Sequence, residues 1–345
     1  MAHARLGRAG VAMTIREVAR RARVSTATVS RVFSHPDVVA TRTRQRVLAA
    51  AKELGYAPNP VARSLARGRT GNLGVVVTDI ANSFSAVVIK AAQQEARRSG
   101  YALFVAASDE LAEDEDRWAR ALAPQVDGLL LSAPLATDAS MRDLADIVPL
   151  VVINRLLDDI PAVLTDAAEA TGHAVEHLYA LGHRRLVYVA GPDGYPNANR
   201  VAGLRATSAW LGLEPTELGP FPARFSSGVR AADLVLAAGA TGVIAYNDDI
   251  AAGLLNRFAD RGVRVPDDMS VVGHDDTGLA EMVTPRLTTV RVPAAAAAAT
   301  TARMLIDRVE NDNGVTRRFE LSSELIVRAS TGPAPAGSSG RTSSE

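Results

Sequence analysis

The sequence predicts two parts of different fold class: an all-α N-terminal part and a larger α/β body with parallel sheets, arranged as two similar halves. Residues 14–58 carry apolar side chains at helical spacing between capping residues, which predicts short helices. From residue 73 onward, short apolar runs alternate with amphipathic helical stretches, and this cycle repeats, which predicts the two α/β halves. A chain of 345 residues is long enough for both parts.

Shifts in composition divide the chain into five segments. Residues 1–13 are predicted to be a disordered extension, 14–58 the all-α domain, 59–72 a hinge helix with a linker, 73–330 the two-lobed body, and 331–345 a disordered tail. The tail lacks apolar heptads, so no C-terminal coiled coil is expected and a homodimer is predicted.

Two short helices joined by a tight turn are predicted at the start of the all-α part. Thr14 and Glu17 have the spacing of a capping box, so a first helix is predicted from Ile15 to Ala22. Its buried face would comprise four apolar residues: Ile15, Val18, Ala19 and Ala22. Ser25 would then cap a second helix from Thr26 to Val32.

The second helix has the form of a helix that reads DNA. Val29 and Val32 would face the first helix, while short polar side chains and Arg31 face outward. Such a face fits the major groove, where an arginine can hydrogen-bond guanine or phosphate. For this pair alone, a capped helical hairpin with a solvated arginine-rich face is an equal alternative.

A third helix and a hinge segment follow. Residues 41–56 form a helical pattern that stops at Gly55, where a left-handed cap is sterically free. Residues 59–66 begin a further helix with Pro60 in its first turn. A helix this short is marginal in water, so it is expected to fold only when a partner holds it.

Charge separates the two parts of the chain. Residues 1–70 hold 14 basic and three acidic side chains, a net charge of +11, and the remainder holds 24 basic and 35 acidic side chains, a net charge of −11. This distribution is expected if the first part seeks phosphates and the second must avoid them.

Together these elements resemble the lac repressor (LacI/GalR) family of bacterial transcription regulators, from Thr14 to about Thr331. The resemblance rests on the helix-turn-helix, on L-G-Y at residues 54–56 and on V-A-R-S-L at residues 61–65. It implies a repressor that binds a pseudo-palindromic, double-stranded DNA operator as a homodimer and answers to a small-molecule effector. The DNA-binding residues that it implies are Thr14, Ser25, Thr26, Ala27, Thr28, Ser30, Arg31, Asn59, Ala62, Arg63 and Leu65.

Two roles within that set differ. Thr26, Ala27 and Arg31 resemble the base-reading residues, whereas Ala62 and Leu65 resemble hinge residues that meet the minor groove. An apolar wedge such as the leucine can unstack a base step and kink the duplex.

The body is predicted as alternating strands and helices. The predicted strands are Leu73–Thr78, Tyr101–Ala106, Gly128–Leu131, Leu150–Ile153, Leu186–Ala190, Val243–Tyr246, Ser270–Gly273 and Leu287–Val290. The predicted helices are Phe84–Arg98, His173–Leu181, Val201–Leu211, Ile250–Arg261 and Ala294–Val309, with an acidic helix start at Asp109–Arg117.

Polar residues that directly follow the apolar runs predict a ligand cleft, because ligands of open α/β sheets bind beyond the carboxyl ends of the strands. By resemblance, this body is a two-lobed, periplasmic-binding-protein-like effector domain, and a sugar is the favoured effector, with a nucleoside as alternative. The effector-binding residues so implied are Asp79, Asn82, Phe84, Asn154, Arg155, Arg200, Asn247 and Asp275. Each residue taken alone could equally be a cap or turn residue. His274 stands where the family usually has an aromatic residue.

Two other functions are alternatives to this one. His173 and His177 enclose Glu176 in an H-x-x-E-H pattern that can bind zinc, but no third ligand follows at a recognisable distance. A sugar-transport receptor would share the two-lobed body but not the basic helices. No nucleophile elbow, phosphate loop or dinucleotide fingerprint is present, so neither an enzyme nor a cofactor is predicted.

The remaining sequence features concern location. The sequence contains no cysteine, which excludes disulfides and thiolate chemistry. Its first 13 residues lack the apolar core of a signal peptide, and no apolar run approaches the length of a membrane span. The prediction is a cytoplasmic, nucleoid-associated protein.

Overall fold

A computed structural model describes residues 13–34, 36–56, 69–311 and 316–336. They fall into two compact units that divide after Gly71. The predicted fold class is confirmed: the first unit is all-α, and the second is a two-lobed α/β body. No helix in the described ranges is both long and apolar enough to cross a bilayer.

The first unit contains three helices around a small apolar core. They are α1 (Ile15–Ala22), α2 (Thr26–Ser34) and α3 (Thr41–Glu53), with a 3₁₀ turn at Pro36–Val38. The core consists of Val18, Ala19, Ala22, Val29, Val32, Val47, Ala50 and Ala51. Each helix contributes one apolar stripe to this core, as the 3.6-residue periodicity predicts.

The predicted bounds of the first helix are confirmed, and so is its start signal. The Glu17 carboxylate accepts hydrogen bonds from the amide of Thr14 at 2.7 Å and from its hydroxyl at 2.8 Å. The second helix runs two residues further than predicted, to Ser34. Gly55 follows α3 with a φ of 62°, the left-handed conformation expected of a glycine that ends a helix.

The first lobe begins with three βα units followed by two further strands. In chain order these are β1 (Asn72–Val77), α4 (Ser83–Arg98), β2 (Ala102–Ala107), α5 (Ala112–Leu122), β3 (Gly128–Ser132), α6 (Asp138–Ala145), β4 (Leu150–Ile153) and β5 (Ala162–Asp166). A 3₁₀ turn at Ala123–Gln125 precedes β3.

The chain then crosses into the second lobe. Its elements are α7 (Ala168–Ala180), β6 (Leu186–Val189), α8 (Tyr195–Trp210), β7 (Thr216–Leu218), α9 (Phe225–Ala237), β8 (Gly242–Ala245), α10 (Asp248–Asp260), β9 (Ser270–Asp275), α11 (Gly278–Met282) and β10 (Thr288–Arg291).

Three final elements complete both lobes: α12 (Ala294–Asn311), β11 (Arg318–Ser322) and β12 (Glu324–Ile326). The first sheet has the order β11-β5-β4-β3-β1-β2 and is parallel throughout. The second has the order β12-β10-β9-β8-β6-β7, in which only β12 is antiparallel to its neighbour. The chain therefore passes between the lobes three times.

The last long helix returns to the first lobe because its alanines allow a close approach. Ala297, Ala298 and Ala302 of α12 are buried in one cluster with Ala91 and Ala92 of α4. Small side chains bring two helix backbones together without leaving cavities. The alanine-rich run that was predicted as a helix is thus the packing face that ties the late chain to the early chain.

The helix α8 begins earlier than predicted. It was expected from Val201, but it starts at Tyr195, so Arg200 lies in its second turn rather than at its start. Pro196 occupies the first turn, where its missing amide costs no hydrogen bond. The Pro and Asn residues that precede Val201 therefore belong to the helix.

The helix α9 was not predicted, and two glycines explain why it packs tightly. A Cβ on Gly228 would lie 2.0 Å from the Ile250 carbonyl oxygen, and a Cβ on Gly253 would lie 2.1 Å from the Phe225 carbonyl oxygen. The backbones of α9 and α10 therefore touch at two points where only glycine fits. Elements β5, α6, β7, α11, β11 and β12 were also not predicted.

The body extends beyond residue 330, so the prediction of a disordered tail from 331 is wrong for its first residues. The amide of Ala334 donates to the carbonyl of Leu181 at 2.8 Å. His183 is fully buried and bonds Thr241 through Nδ1 and the Gly332 carbonyl through Nε2. Polar partners, rather than apolar side chains, hold this segment, which is why its composition resembled that of a tail.

Candidate functional site

The outward face of α2 carries the residues that were predicted to read bases. Thr26, Ala27 and Arg31 are exposed, whereas Thr28 and Ser30 are half-buried. The hydroxyl of Ser25 accepts from the amide of Thr28 at 3.1 Å, so Ser25 and Thr28 also cap the start of α2. The exposed trio offers a hydroxyl, a methyl group and a guanidinium, which are groups that recognise base edges and phosphates.

Other predicted DNA-binding residues have a structural role or fall outside the described ranges. Thr14 is exposed and caps α1. The hinge residues lie outside the described residues: Asn59, Ala62, Arg63 and Leu65. DNA contact therefore stays a prediction for the whole set.

The second unit has a cavity between its lobes, at the carboxyl ends of the strands. Its empty volume is about 610 Å³ when counted to its open mouth. Six of the eight predicted effector residues line it: Asn82, Phe84, Asn154, Arg200, Asn247 and Asp275.

The other two predicted residues are not part of the cavity wall. Asp79 holds a turn, since its carboxylate accepts from the amide of Ala81 at 2.8 Å. Arg155 pairs with Asp138 at 2.6 Å. Asp79 and Arg155 therefore do not line this cavity, and their contact with an effector stays a prediction.

An almost fully buried ion pair lies at the cavity floor. Nη2 of Arg200 is 3.1 Å from Oδ1 of Asp275, and their side chains are only 7% and 5% exposed. The guanidinium carbon of Arg200 also lies 4.1 Å from the ring centroid of Tyr246. Gly191 makes room for that ring, because a Cβ there would lie 2.3 Å from it.

This pair has unused hydrogen-bonding capacity. Nε and Nη1 of Arg200 are buried and have no acceptor among the described residues. Burial raises the pKa of Asp275 to about 7, against the opposing effect of the Arg200 charge. A buried ion pair is stable only when further partners satisfy it. A ligand that brings acceptor oxygens to Arg200 and hydroxyl donors to Asp275 would supply them.

The two cleft asparagines are engaged mainly with the protein itself. Oδ1 of Asn82 accepts from the amides of Phe84 and Ser85, and Oδ1 of Asn247 accepts from the amide of Ile250, so each caps a helix. Both Nδ2 groups donate to the carbonyl oxygen of Ala223. Each side chain keeps only one N–H for a ligand.

Asn154 combines both kinds of role. It has a φ of 55°, and its Oδ1 accepts from the amide and the hydroxyl of Thr165 at 2.8 and 2.9 Å. Its Nδ2 makes no hydrogen bond within the described part of the chain. That group remains a donor for a ligand in the cavity.

A set of hydrogen bonds joins the lobes beside the cavity, and we call it the Ala223 clasp. The carbonyl of Ala223 accepts from Nδ2 of Asn82 at 3.0 Å and from Nδ2 of Asn247 at 3.2 Å. Its amide donates to Oε1 of Glu110 at 2.8 Å. Asn82 and Glu110 belong to the first lobe, and Asn247 and Ala223 to the second. One peptide segment thus bonds with both lobes.

Glu110 was missed by the sequence analysis, which took the acidic run as a helix start and nothing more. Its side chain is only 10% exposed, and it lines the cavity. Glu115 in the same run is 2% exposed, and its carboxylate accepts from the amides of Leu135 and Ala136. Burial raises the pKa of Glu115. Ligands bind beyond the carboxyl ends of strands, and this rule, which selected Asp79 after the first strand, would also have selected Glu110, three residues after β2.

The histidines of the zinc alternative have other surroundings. His177 bonds the hydroxyl of Thr331 through Nε2 at 2.9 Å, and His173 is half exposed beside Glu169. Across the described ranges, no group of three His, Cys, Asp or Glu side chains is placed to hold a metal ion.

Comparison with known families gives two matches. The profile described as "Bacterial regulatory proteins, lacI family" matches residues 14–59, and the one described as "Periplasmic binding protein-like domain" matches residues 175–331. The first match covers the three-helix unit, and the second covers most of the second lobe and the chain that follows it.

Two curated relatives align over nearly the whole chain. The HTH-type transcriptional repressor CytR of Escherichia coli is 31% identical over 333 residues, which span 94% of this chain and 98% of that protein. The ribose operon repressor of Halalkalibacterium halodurans is 32% identical over 327 residues, 92% of this chain and 97% of that protein.

Two solved structures share both the sequence and the fold. The lac repressor dimer bound to operator and the anti-inducer ONPF has a TM-score of 0.82 at 28% identity, over 93% of this chain and 100% of that one. The transcriptional regulator CelR in complex with cellobiose has a TM-score of 0.68 at 31% identity, over 92% and 99%.

Proposed function

This chain belongs to the LacI family of bacterial regulatory proteins and is a DNA-binding transcriptional repressor rather than an enzyme, and we propose that its effector is a sugar or a sugar-bearing molecule held between the two lobes. The observation that carries this proposal is the buried Arg200–Asp275 pair at the floor of the cavity, in which two guanidinium nitrogens, Nε and Nη1, have no acceptor among the described residues. Neighbouring hydroxyls both donate and accept hydrogen bonds, so a polyol can satisfy both residues at once.

The rest of the cavity wall supports the same ligand class. The rings of Phe84 and Tyr246 line it together with Leu135, Pro192 and Pro196, so the wall offers apolar surface beside its few polar groups. A sugar ring presents apolar C–H faces and polar edges to such a wall. The ribose operon repressor and the cellobiose complex of CelR, both similar to this chain, are named for sugars. A nucleoside is the alternative that retains the sugar and adds a base.

The coupling to DNA is proposed to run through lobe closure. The Ala223 clasp bridges the lobes at the cavity, so a ligand that fills the cavity changes the balance between open and closed lobes. Effector and operator must alter each other's affinity by the same factor, because coupling free energy is reciprocal. We further propose a cytoplasmic homodimer that presents two copies of α2 to a pseudo-palindromic operator.

Two measurements test the proposal separately. In a thermal-shift screen against ribose, cellobiose, adenosine and cytidine, an effector at about 100 times its Kd should stabilise the protein by about 2.7 kcal/mol. In gel-shift titrations against duplexes selected from a random pool, that compound should change operator affinity. No shift with any sugar or nucleoside would contradict the proposed ligand class. No preference for any duplex over scrambled DNA would contradict the proposed DNA reading.

One substitution tests the reading face of α2. Arg31→Ala should reduce discrimination between operator and scrambled DNA by about 1–3 kcal/mol, the contribution of a bidentate base contact. Arg97→Ala, which removes an exposed arginine of the body, is the matched control and should leave discrimination unchanged. Equal discrimination in both variants would remove Arg31 from base reading.

A further inference from the structure

His274 occupies an unusual place for a histidine. It lies in β9 immediately before Asp275 and is 1% exposed. Side chains alternate along a strand, so His274 shares a face of the sheet with Val272. Val272 packs in one cluster with Tyr188 of β6 and Leu204 of α8. The imidazole is therefore enclosed between the second sheet and the helix that carries Arg200.

The ring contacts the carboxylate of the cavity floor. Nδ1 of His274 lies 3.3 Å from Oδ1 of Asp275, the oxygen that also receives Nη2 of Arg200 at 3.1 Å. Burial, helped by the positive charge of Arg200, lowers the pKa of His274 well below its ordinary value, so the imidazole is neutral. A neutral imidazole has one N–H, and an acceptor carboxylate beside Nδ1 selects the tautomer with its proton there.

The opposite nitrogen shows that packing alone does not explain this residue. Nε2 of His274 is buried and has no hydrogen-bond partner within the described ranges. An unpaired buried polar atom lowers stability. A phenylalanine would fill similar space without that penalty. The imidazole is therefore tolerated for what its other nitrogen does.

We infer that His274 is a positioning residue for the effector site: its Nδ1–H group and Arg200 both bind Oδ1 of Asp275, which fixes the carboxylate and leaves Oδ2 to accept from an effector hydroxyl. No donor within the described ranges reaches Oδ2. Asp275 has a φ of 107°, a strained backbone conformation for a residue other than glycine, which persists only when its surroundings fix it. Two donors on one oxygen restrain the rotation of that carboxylate. The inference rests on the proposed function for its consequence, but not for its geometry.

The charged and titratable groups around this cluster come from several elements. Arg200 faces it from α8, Tyr188 from β6 and Tyr246 from the end of β8. Asp248 and Asp249 face it from α10. Arg200 is the cation in this set, so the charge that stabilises ionised Asp275 is fixed. The imidazole adds a directed hydrogen bond without adding a second charge.

The test needs no effector. Histidine-selective ¹⁵N labelling of the full chain distinguishes the two neutral tautomers, and among the six histidines the signal of His274 is the one lost in His274→Phe. The expected result is a neutral ring protonated on Nδ1 across pH 6 to 8. A ring protonated on Nε2, or a doubly protonated ring, overturns the inference. The tautomer is measured on the wild-type protein, and His274→Asn provides the assignment if His274→Phe folds poorly.

A matched pair of variants tests the effect on Asp275. His274→Phe removes the donor, whereas His274→Asn retains an N–H at the position of Nδ1. The carboxyl ¹³C titration of Asp275 should move to higher pH in His274→Phe and stay near the wild-type midpoint in His274→Asn. Equal midpoints in all three proteins overturn the positioning role. If no sugar or nucleoside binds the wild type, the proposed effector class fails while these two results stand or fall independently.

Discussion

The variant Asn82→Asp removes one hydrogen bond of the Ala223 clasp, the bond from Nδ2 of residue 82, without removing a helix cap. Aspartate caps a helix as well as asparagine, so the bonds from the amides of Phe84 and Ser85 are retained. The donor that lies 3.0 Å from the Ala223 carbonyl becomes a carboxylate oxygen, and two acceptors then face each other.

The magnitude follows from that contact. The carbonyl of Ala223 keeps its bond from Asn247 but loses the bond from residue 82, and one hydrogen bond contributes about 0.5–1.5 kcal/mol. The new carboxylate oxygen faces that carbonyl without a donor, and a buried acceptor without a partner costs about 1–3 kcal/mol. The closed arrangement should therefore lose about 1.5–4.5 kcal/mol relative to the open one. Because 1.4 kcal/mol is a factor of ten, the equilibrium between them should shift by at least about tenfold.

Hydrogen exchange measures this shift directly. The amide of Ala223 is bonded to Glu110, a partner that the substitution leaves intact. Its protection factor should fall by at least about tenfold in Asn82→Asp, because that bond breaks when the lobes separate. Thr137→Asp is the control: Thr137 caps α6, and it should leave the amide of Ala223 protected. Protection of Ala223 within threefold of the wild type in Asn82→Asp would refute the clasp.

Three further predictions address the cleft and the packing. Arg200→Met should weaken effector binding by at least about 100-fold in calorimetry, since each charged hydrogen bond contributes about 1.5–3 kcal/mol. Unchanged affinity would contradict a role of Arg200 in effector binding. Asp275 has its pKa raised to about 7, so its contribution to stability is present below about pH 4 and is lost as pH rises to about 7. In thermal melts, Asp275→Asn should therefore gain stability relative to the wild type over that range, and parallel pH profiles would contradict this. Gly228→Ala should lower the free energy of unfolding in urea by at least about 1–3 kcal/mol, because the new Cβ would lie 2.0 Å from the Ile250 carbonyl oxygen. The control is Gly278→Ala, whose Cβ would meet only the Met282 side chain at 3.7 Å, and it should leave the free energy of unfolding nearly unchanged.

Local signals in the sequence predicted those elements whose cause is local. The bounds of α1 follow from Thr14 and Glu17, and these two residues make the contacts that the spacing predicts. The strand Leu150–Ile153 was predicted with its exact bounds, since a short apolar run buried on both faces is easily recognised. The three-helix unit was accordingly predicted almost completely.

Elements that depend on distant partners were missed. Phe225–Ala237 contains two serines and a glycine near its start, which weaken a helical pattern, and it is stabilised by close contact with Gly253 of α10. Strand β11 pairs with β5 across more than 150 residues of sequence, so no local signal defines it. Residues 331–334 looked like a tail because their partners, such as Leu181 and His183, lie far back in the chain.

The cleft shows the same division. Asp275 was predicted in the cleft because it follows a strand, and Arg200 was added to it as the start of a predicted helix; the two residues do line one cavity, although they are 75 positions apart in the sequence. The sequence does not show that Asn82 and Asn247 both donate to the carbonyl of Ala223, because that carbonyl belongs to a loop whose path depends on both lobes. It also could not separate Asp79 and Arg155 from the others, since side-chain direction at a strand end is set by the turn that follows.

The three passages of the chain between the lobes have a practical consequence for dissecting the protein. A fragment ending at Asp166 would lack α12 and β11, which return to the first sheet after the second lobe is nearly complete. A fragment starting at Ala168 would carry those two elements without the sheet they belong to. Neither piece should fold alone, and mixing the two should restore a native unit only by complementation. A protease that cuts once between the lobes would therefore leave a nicked but associated body.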